Sequence, residues 1–139
     1  MKKVLIASIL SLVVLTGCGK KETITCTQSQ TTMGVKLDAV IKVDLEGNRF
    51  KGINMTIDAI LPESYMNQKA TFVKSFEKQY ASFESQYGVK PEVSESDQGV
   101  KVTATMTAEQ AKKFSGSNND KATRKDVITT FEKQGDTCK

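Results

Sequence analysis

This chain has no histidine and no tryptophan. The first absence removes Ser-His-Asp and Cys-His catalysis, and with them the commonest zinc ligand. The second weakens a case for sugar stacking, although Tyr or Phe could substitute. There is no glycine-rich phosphate loop. The three cysteines, Cys18, Cys26 and Cys138, form no C-x-x-C pair of the kind redox centres use. No apolar run reaches the roughly 20 residues a permanent bilayer anchor needs. Basic residues outnumber acidic ones, 20 to 16, but beyond the first residues the lysines are dispersed, with pairs at Lys20-Lys21 and Lys112-Lys113. Nucleic-acid binding wants them on one face, so no nucleic-acid partner is expected. Neither a metal nor a cofactor is expected.

What is present begins at the N-terminus. Met1-Lys2-Lys3 is basic, Val4 to Val14 is apolar apart from Ser8 and Ser11, and Leu15-Thr16-Gly17-Cys18 follows. This layout reads as a secretory signal over residues 1–17. Its small-residue end closing on a cysteine resembles the lipobox of bacterial lipoproteins. That resemblance implies diacylglyceryl transfer to the Cys18 thiol, cleavage before Cys18, and fatty acyl chains such as palmitate as the anchor. Two chains at one residue suffice for stable anchoring where one does not. The expected location is therefore the extracytoplasmic face of the cell membrane. Cleavage leaves 122 residues, one domain's worth, and lowers the net charge from +4 to +2 as Lys2 and Lys3 depart. Residues 18–23 read as a lipidated tether and 24–139 as a single domain. Cys26 and Cys138 are read as a disulfide closing nearly the whole domain, as oxidising compartments favour; two unpaired thiols are the alternative.

Period-2 alternation dominates the first half. Val35, Leu37, Ala39, Ile41, Val43 and Leu45 share one face, and Lys36, Asp38, Lys42 and Asp44 the other. Phe50 to Leu61 repeats the pattern after the turn Glu46-Gly47-Asn48-Arg49. These segments predict a long hairpin, preceded by a strand over 24–28. Pro62 stops it. A helix is predicted over 63–87, with the stripe Met66, Phe72, Val73, Phe76, Tyr80, Phe83 and Tyr87. A second hairpin follows over 89–106, with Pro91 marking an edge strand. Thr107 to Gln110 reads as a capping box, residues 115–120 as a polar loop, and 121–133 as a last helix with Val127, Ile128 and Phe131 inward. Thr137-Cys138 returns to the first strand. The fold class is α+β: an antiparallel sheet of about five strands with helices on its apolar face.

Carboxylates are the remaining candidates for chemistry. Glu92, Glu95 and Asp97 cluster in the second hairpin, and Asp38, Asp44 and Asp58 share the polar sheet face. Two carboxylates suffice in principle for glycoside hydrolysis, but they need a cleft. The plainer reading makes them solvated partners of Lys36, Lys42, Lys90 and Lys101. Calcium binding lacks the spaced loop pattern.

The lipobox LTGC, the strand ITCTQSQ, the hairpin VKLDAVIKVDLEGNRFKGINMTID, the aromatic helix, the hairpin with SESDQGVKVTATM and the ending VITTFEKQGDTCK together resemble the YehR-like small bacterial lipoproteins, a family of uncharacterised function. The resemblance implies an α+β lipoprotein and supplies no active-site residues. The expected role is a non-enzymatic binding or interaction module that meets an envelope protein through the polar sheet face or the 115–120 loop. The alternative is a small-molecule carrier with an apolar pocket between the long helix and the sheet. An enzyme built on the carboxylates is the third reading.

Overall fold

The alternating segments fold as strands because each must bury one face and hydrate the other. The computed structural model describes residues 20–115 and 121–139. Within them the chain forms β1 (Lys21–Thr32), β2 (Val35–Glu46), β3 (Arg49–Ile60), a 3-10 turn (Glu63–Gln68), α1 (Lys69–Tyr87), β4 (Glu92–Ser96), β5 (Gly99–Thr107), α2 (Ala108–Ser115), α3 (Arg124–Glu132) and β6 (Thr137–Cys138). The strands make one open antiparallel sheet in the order β4-β5-β3-β2-β1-β6. The α+β class holds, with six strands among the described residues where about five were expected; the sixth is the two-residue β6.

Register explains the core. One row across the sheet reads Ile24, Val43, Ile53, Met106, and all four side chains are buried. The next reads Cys26, Ile41, Met55, Ala104. Two helices complete this cluster: Ala111 from α2, and Val127 and Phe131 from α3. A second cluster at the other end joins Val35, Ala59, Leu61 and Val100 to Met66, Phe72, Val73 and Phe76. The opposite sheet face carries Thr25, Lys42, Asn54 and Thr105 in one row and Ser29, Asp38, Asp58 and Lys101 in another.

Several boundaries differ from the sequence expectation. β1 begins at Lys21, so Lys21 to Thr23 pair with β2 and are not tether. It also runs on to Thr32, because Thr31 and Thr32 pair with Lys36 and Val35 and leave the turn to Met33-Gly34. The first six residues of the expected long helix, Glu63–Gln68, are 3-10. β4 starts at Glu92, since Pro91 has no N–H to give a ladder; Val89 instead buries itself in the first cluster. As Pro91 suggested, β4 is an edge strand.

The helix ends follow local chemistry. Thr107 N–H donates to the Gln110 side chain at 2.9 Å and Gln110 N–H donates back to the Thr107 hydroxyl at 3.3 Å, the capping box read from the sequence. A second one, Thr123 with Asp126, opens α3 three residues later than expected. Gly88 ends α1 at φ +70° and donates to the Glu84 carbonyl. Gly99 closes the β4–β5 turn at φ +152°, where an added Cβ would lie 2.2 Å from the Ala59 carbonyl oxygen.

Candidate functional site: an apolar cleft at one end of the sheet

α3 is fastened to the rest of the domain at both ends. Its N-terminus is pinned by Ala122 N–H donating to the Asn48 carbonyl and by the Arg49–Lys121 bridge. Its C-terminal turn is tied to β1 through the Gln28 side-chain amide, which donates to the Gln134 carbonyl at 3.2 Å. Between α3, Phe114 of α2 and the sheet lies a cleft of about 330 Å³. Phe50, Ile53, Phe114, Ala122, Val127 and Phe131 make its apolar walls, and Lys121, Asp126, Thr130 and Gln134 its polar positions. Phe114 is more than a third exposed (37 %) and packs on Phe83 and Tyr87 at ring separations of 5.8 and 5.5 Å. The Asp126 carboxyl accepts from the Thr123 N–H at 2.9 Å and hydroxyl at 2.7 Å. These bonds hold its pKa below the ordinary aspartate value, so the cleft rim carries a fixed anion, and Lys121 lines the same cleft.

The aromatic stripe of α1 lies elsewhere. Among the described residues none in α1 is fully buried, so the stripe is a half-buried cover over the two clusters. Phe76 and Tyr80 stack at 6.3 Å, and Phe83 meets Tyr87 at 4.8 Å. Burial pushes the Tyr80 hydroxyl pKa up. The groove beside Tyr80 is rimmed by Glu77, Glu84, Lys90 and Glu92. The α1 stripe does not line the aromatic cleft, whose walls come from β3, α2, α3 and Ala122. Val127 and Phe131 were legible as inward-facing residues of a last helix. Phe50, Phe114 and Ala122 were missed, because a cleft wall drawn from three distant segments has no spacing signature.

The carboxylates do not converge. In β4, alternation sends Glu92 and Glu95 to opposite faces, and Asp97 sits in the turn. All three are exposed. Asp38 and Asp58 do face each other across β2 and β3, but each has a cationic neighbour: Lys36 at 3.3 Å from Asp38 and Lys101 at 3.8 Å from Asp58. Ser29 also donates to Asp38, the main cause of its lowered pKa. Asp44 accepts from the Thr23 hydroxyl at 2.7 Å. Among the described residues no group of three or more potential metal ligands forms.

The Cys26 and Cys138 sulfurs lie at bonding distance, 2.03 Å. The two residues are direct cross-strand partners in β1 and β6, flanked by reciprocal hydrogen bonds between Thr25 and Lys139. Asp136, just before β6, is nearly buried (9 % exposed), and desolvation raises its pKa. A group bound more tightly to its proton in the folded state stabilises fully at low pH. That contribution is lost as pH rises through the raised value. Asp136→Asn is therefore expected to raise the melting temperature at neutral pH and change it little in acid. An equal shift at both pH values would contradict this.

Cys18 and the 116–120 part of the expected polar loop lie outside the described residues. Among the described residues no helix is long and apolar enough to cross a membrane. Comparison with protein-family models, with curated proteins and with solved structures found no match.

Proposed function

We propose that this protein is a lipoprotein of the cell envelope, anchored through Cys18 on the extracytoplasmic face of the cell membrane, and that it binds a small apolar ligand without transforming it. The observation that carries the reading is the cleft. Its volume, about 330 Å³, falls within the roughly 300–1,000 Å³ of small-molecule sites. Three phenylalanines from three different elements converge on it, with a few polar groups at fixed positions, the usual composition of such sites. The carboxylates, the chain's one stock of candidate catalytic groups, lie apart from one another or beside lysines. A second reading keeps an envelope protein as the partner. It is favoured by the polar sheet face, whose rows of Thr, Ser, Lys and Asp cross several strands.

The chain's lack of tryptophan supplies a direct test. Phe50→Trp places a lone indole in the cleft wall. Titration with medium-chain fatty acids and fatty alcohols is expected to give a saturable blue shift of its emission. Emission that stays unchanged, or drifts without saturating, would contradict a ligand site there.

A further inference from the structure

The two ends of the sheet differ in charge. At the β2–β3 turn, Lys20 is held by its carbonyl accepting from Gly47 N–H at 2.9 Å. Lys21 and Arg49 are the backbone strand partners of Glu46 on either side. Lys51 reaches Glu46 at 3.4 Å, Lys121 bridges Arg49, and Arg124 reaches Glu22 at 3.2 Å. Six exposed cations thus gather at this end around the three carboxylates Glu22, Asp44 and Glu46. Lys125 and Asp126, in the first turn of α3, offset each other. The far end, about 36 Å away along a 12-residue strand, is different. It presents Met33-Gly34, Glu63 and the Asp97-Gln98 turn, with the Lys69 ammonium donating to the Ser96 and Asp97 carbonyls and with Lys36 and Lys101 each beside an aspartate, Asp38 and Asp58.

The chain path adds a second observation. Cys18 lies two residues before Lys20, a reach of at most about 7 Å. A lipid on Cys18 would hold the cationic end against the headgroups. That separation is shorter than the roughly 8 Å over which charges are screened at physiological salt, so the surface potential acts on these side chains.

We infer that this end is a docking face for anionic phospholipid headgroups, which fixes the lipoprotein upright with the β2–β3 turn on the membrane and the Met33 and Asp97 turns outward. The inference rests on the proposed lipidation of Cys18, and goes beyond it in giving the domain one orientation. Cations near an anionic surface each gain from its potential, and the gain is lost in salt. The cleft wall residue Phe50 follows Arg49 directly, so in this pose the cleft opens near the headgroups.

The test uses the full mature protein, purified from membranes and reconstituted in vesicles. Its intact mass first establishes whether Cys18 carries lipid. Lysine acetylation rates are then compared between pure phosphatidylcholine vesicles and vesicles containing phosphatidylglycerol. Lys20, Lys21, Lys51 and Lys121 are expected to react roughly fivefold more slowly on the anionic vesicles, with recovery at high salt and no change at Lys36, Lys69 or Lys101. R49E/K51E, checked for folding by circular dichroism, is expected to abolish the protection of Lys20, Lys21 and Lys121. Equal rates at both ends on lipidated protein would overturn the docking face and leave the anchor standing. An unmodified Cys18 in the membrane-purified chain would overturn the anchor and the docking face with it.

Discussion

Removing the Cys26–Cys138 link with C26A/C138A is expected to lower folding stability by about 2–5 kcal/mol. The pair is separated by 112 positions, so the bond closes almost the whole domain. On the loop-entropy account a ring of this size restricts the unfolded chain by roughly 4–5 kcal/mol. The folded side of the balance points the same way. β6 has two residues, and its pairing with β1 supplies few hydrogen bonds of its own. Without the link, β6 and the turn after α3 are held mainly by Val127 and Phe131. Urea unfolding of the wild type with and without reductant, beside the double variant, measures this. Reductant should lower the wild-type midpoint to near that of the variant and leave the variant unmoved. A wild-type midpoint insensitive to reductant would contradict the account.

The second large effect separates core from cover. Ile24 is fully buried in the first cluster, beside its strand partner Val43 of β2 and together with Val127 and Phe131 of α3. Ile24→Ala is expected to cost about 2–5 kcal/mol, the range for truncating a buried aliphatic and leaving a cavity. Phe76 is larger but half-buried on a helix without one fully buried residue. Phe76→Ala should therefore cost about 1 kcal/mol, a fraction of the transfer free energy for full burial. Denaturant midpoints at constant m-value check both. Equal losses would mean that α1 carries core weight its exposure does not suggest.

That contrast also marks where the sequence was legible. The alternation from Val35 to Leu61 encodes two strands and the face each buries, because a period of two leaves a half-buried strand few alternatives. Pro91, Gly88 and the Thr107–Gln110 box act locally, and each did what its chemistry requires. The α1 stripe has the spacing of a buried face, yet spacing alone does not tell whether a second layer covers the helix. Here α1 lies toward the β4–β5 edge, so its aromatic residues stay partly open. The start of α3 was misplaced because Thr123 and Asp126 compete with Lys121 and Ala122 for the helix origin, and Ala122 is instead committed to Asn48. The cleft was not legible at all. Phe50, Phe114 and Phe131 come from a strand start, a helix end and a second helix, and their meeting depends on the sheet register and on where α2 and α3 pack against it.

Native mass spectrometry of the chain purified from membranes in mild detergent reads directly whether the cleft holds a small apolar ligand. An occupied cleft gives an adduct that is lost on denaturation. The adduct should also be missing from Thr130→Trp, which places an indole at the exposed cleft position of α3. The bare chain as the sole species in both proteins, or the same adduct on both, would contradict it.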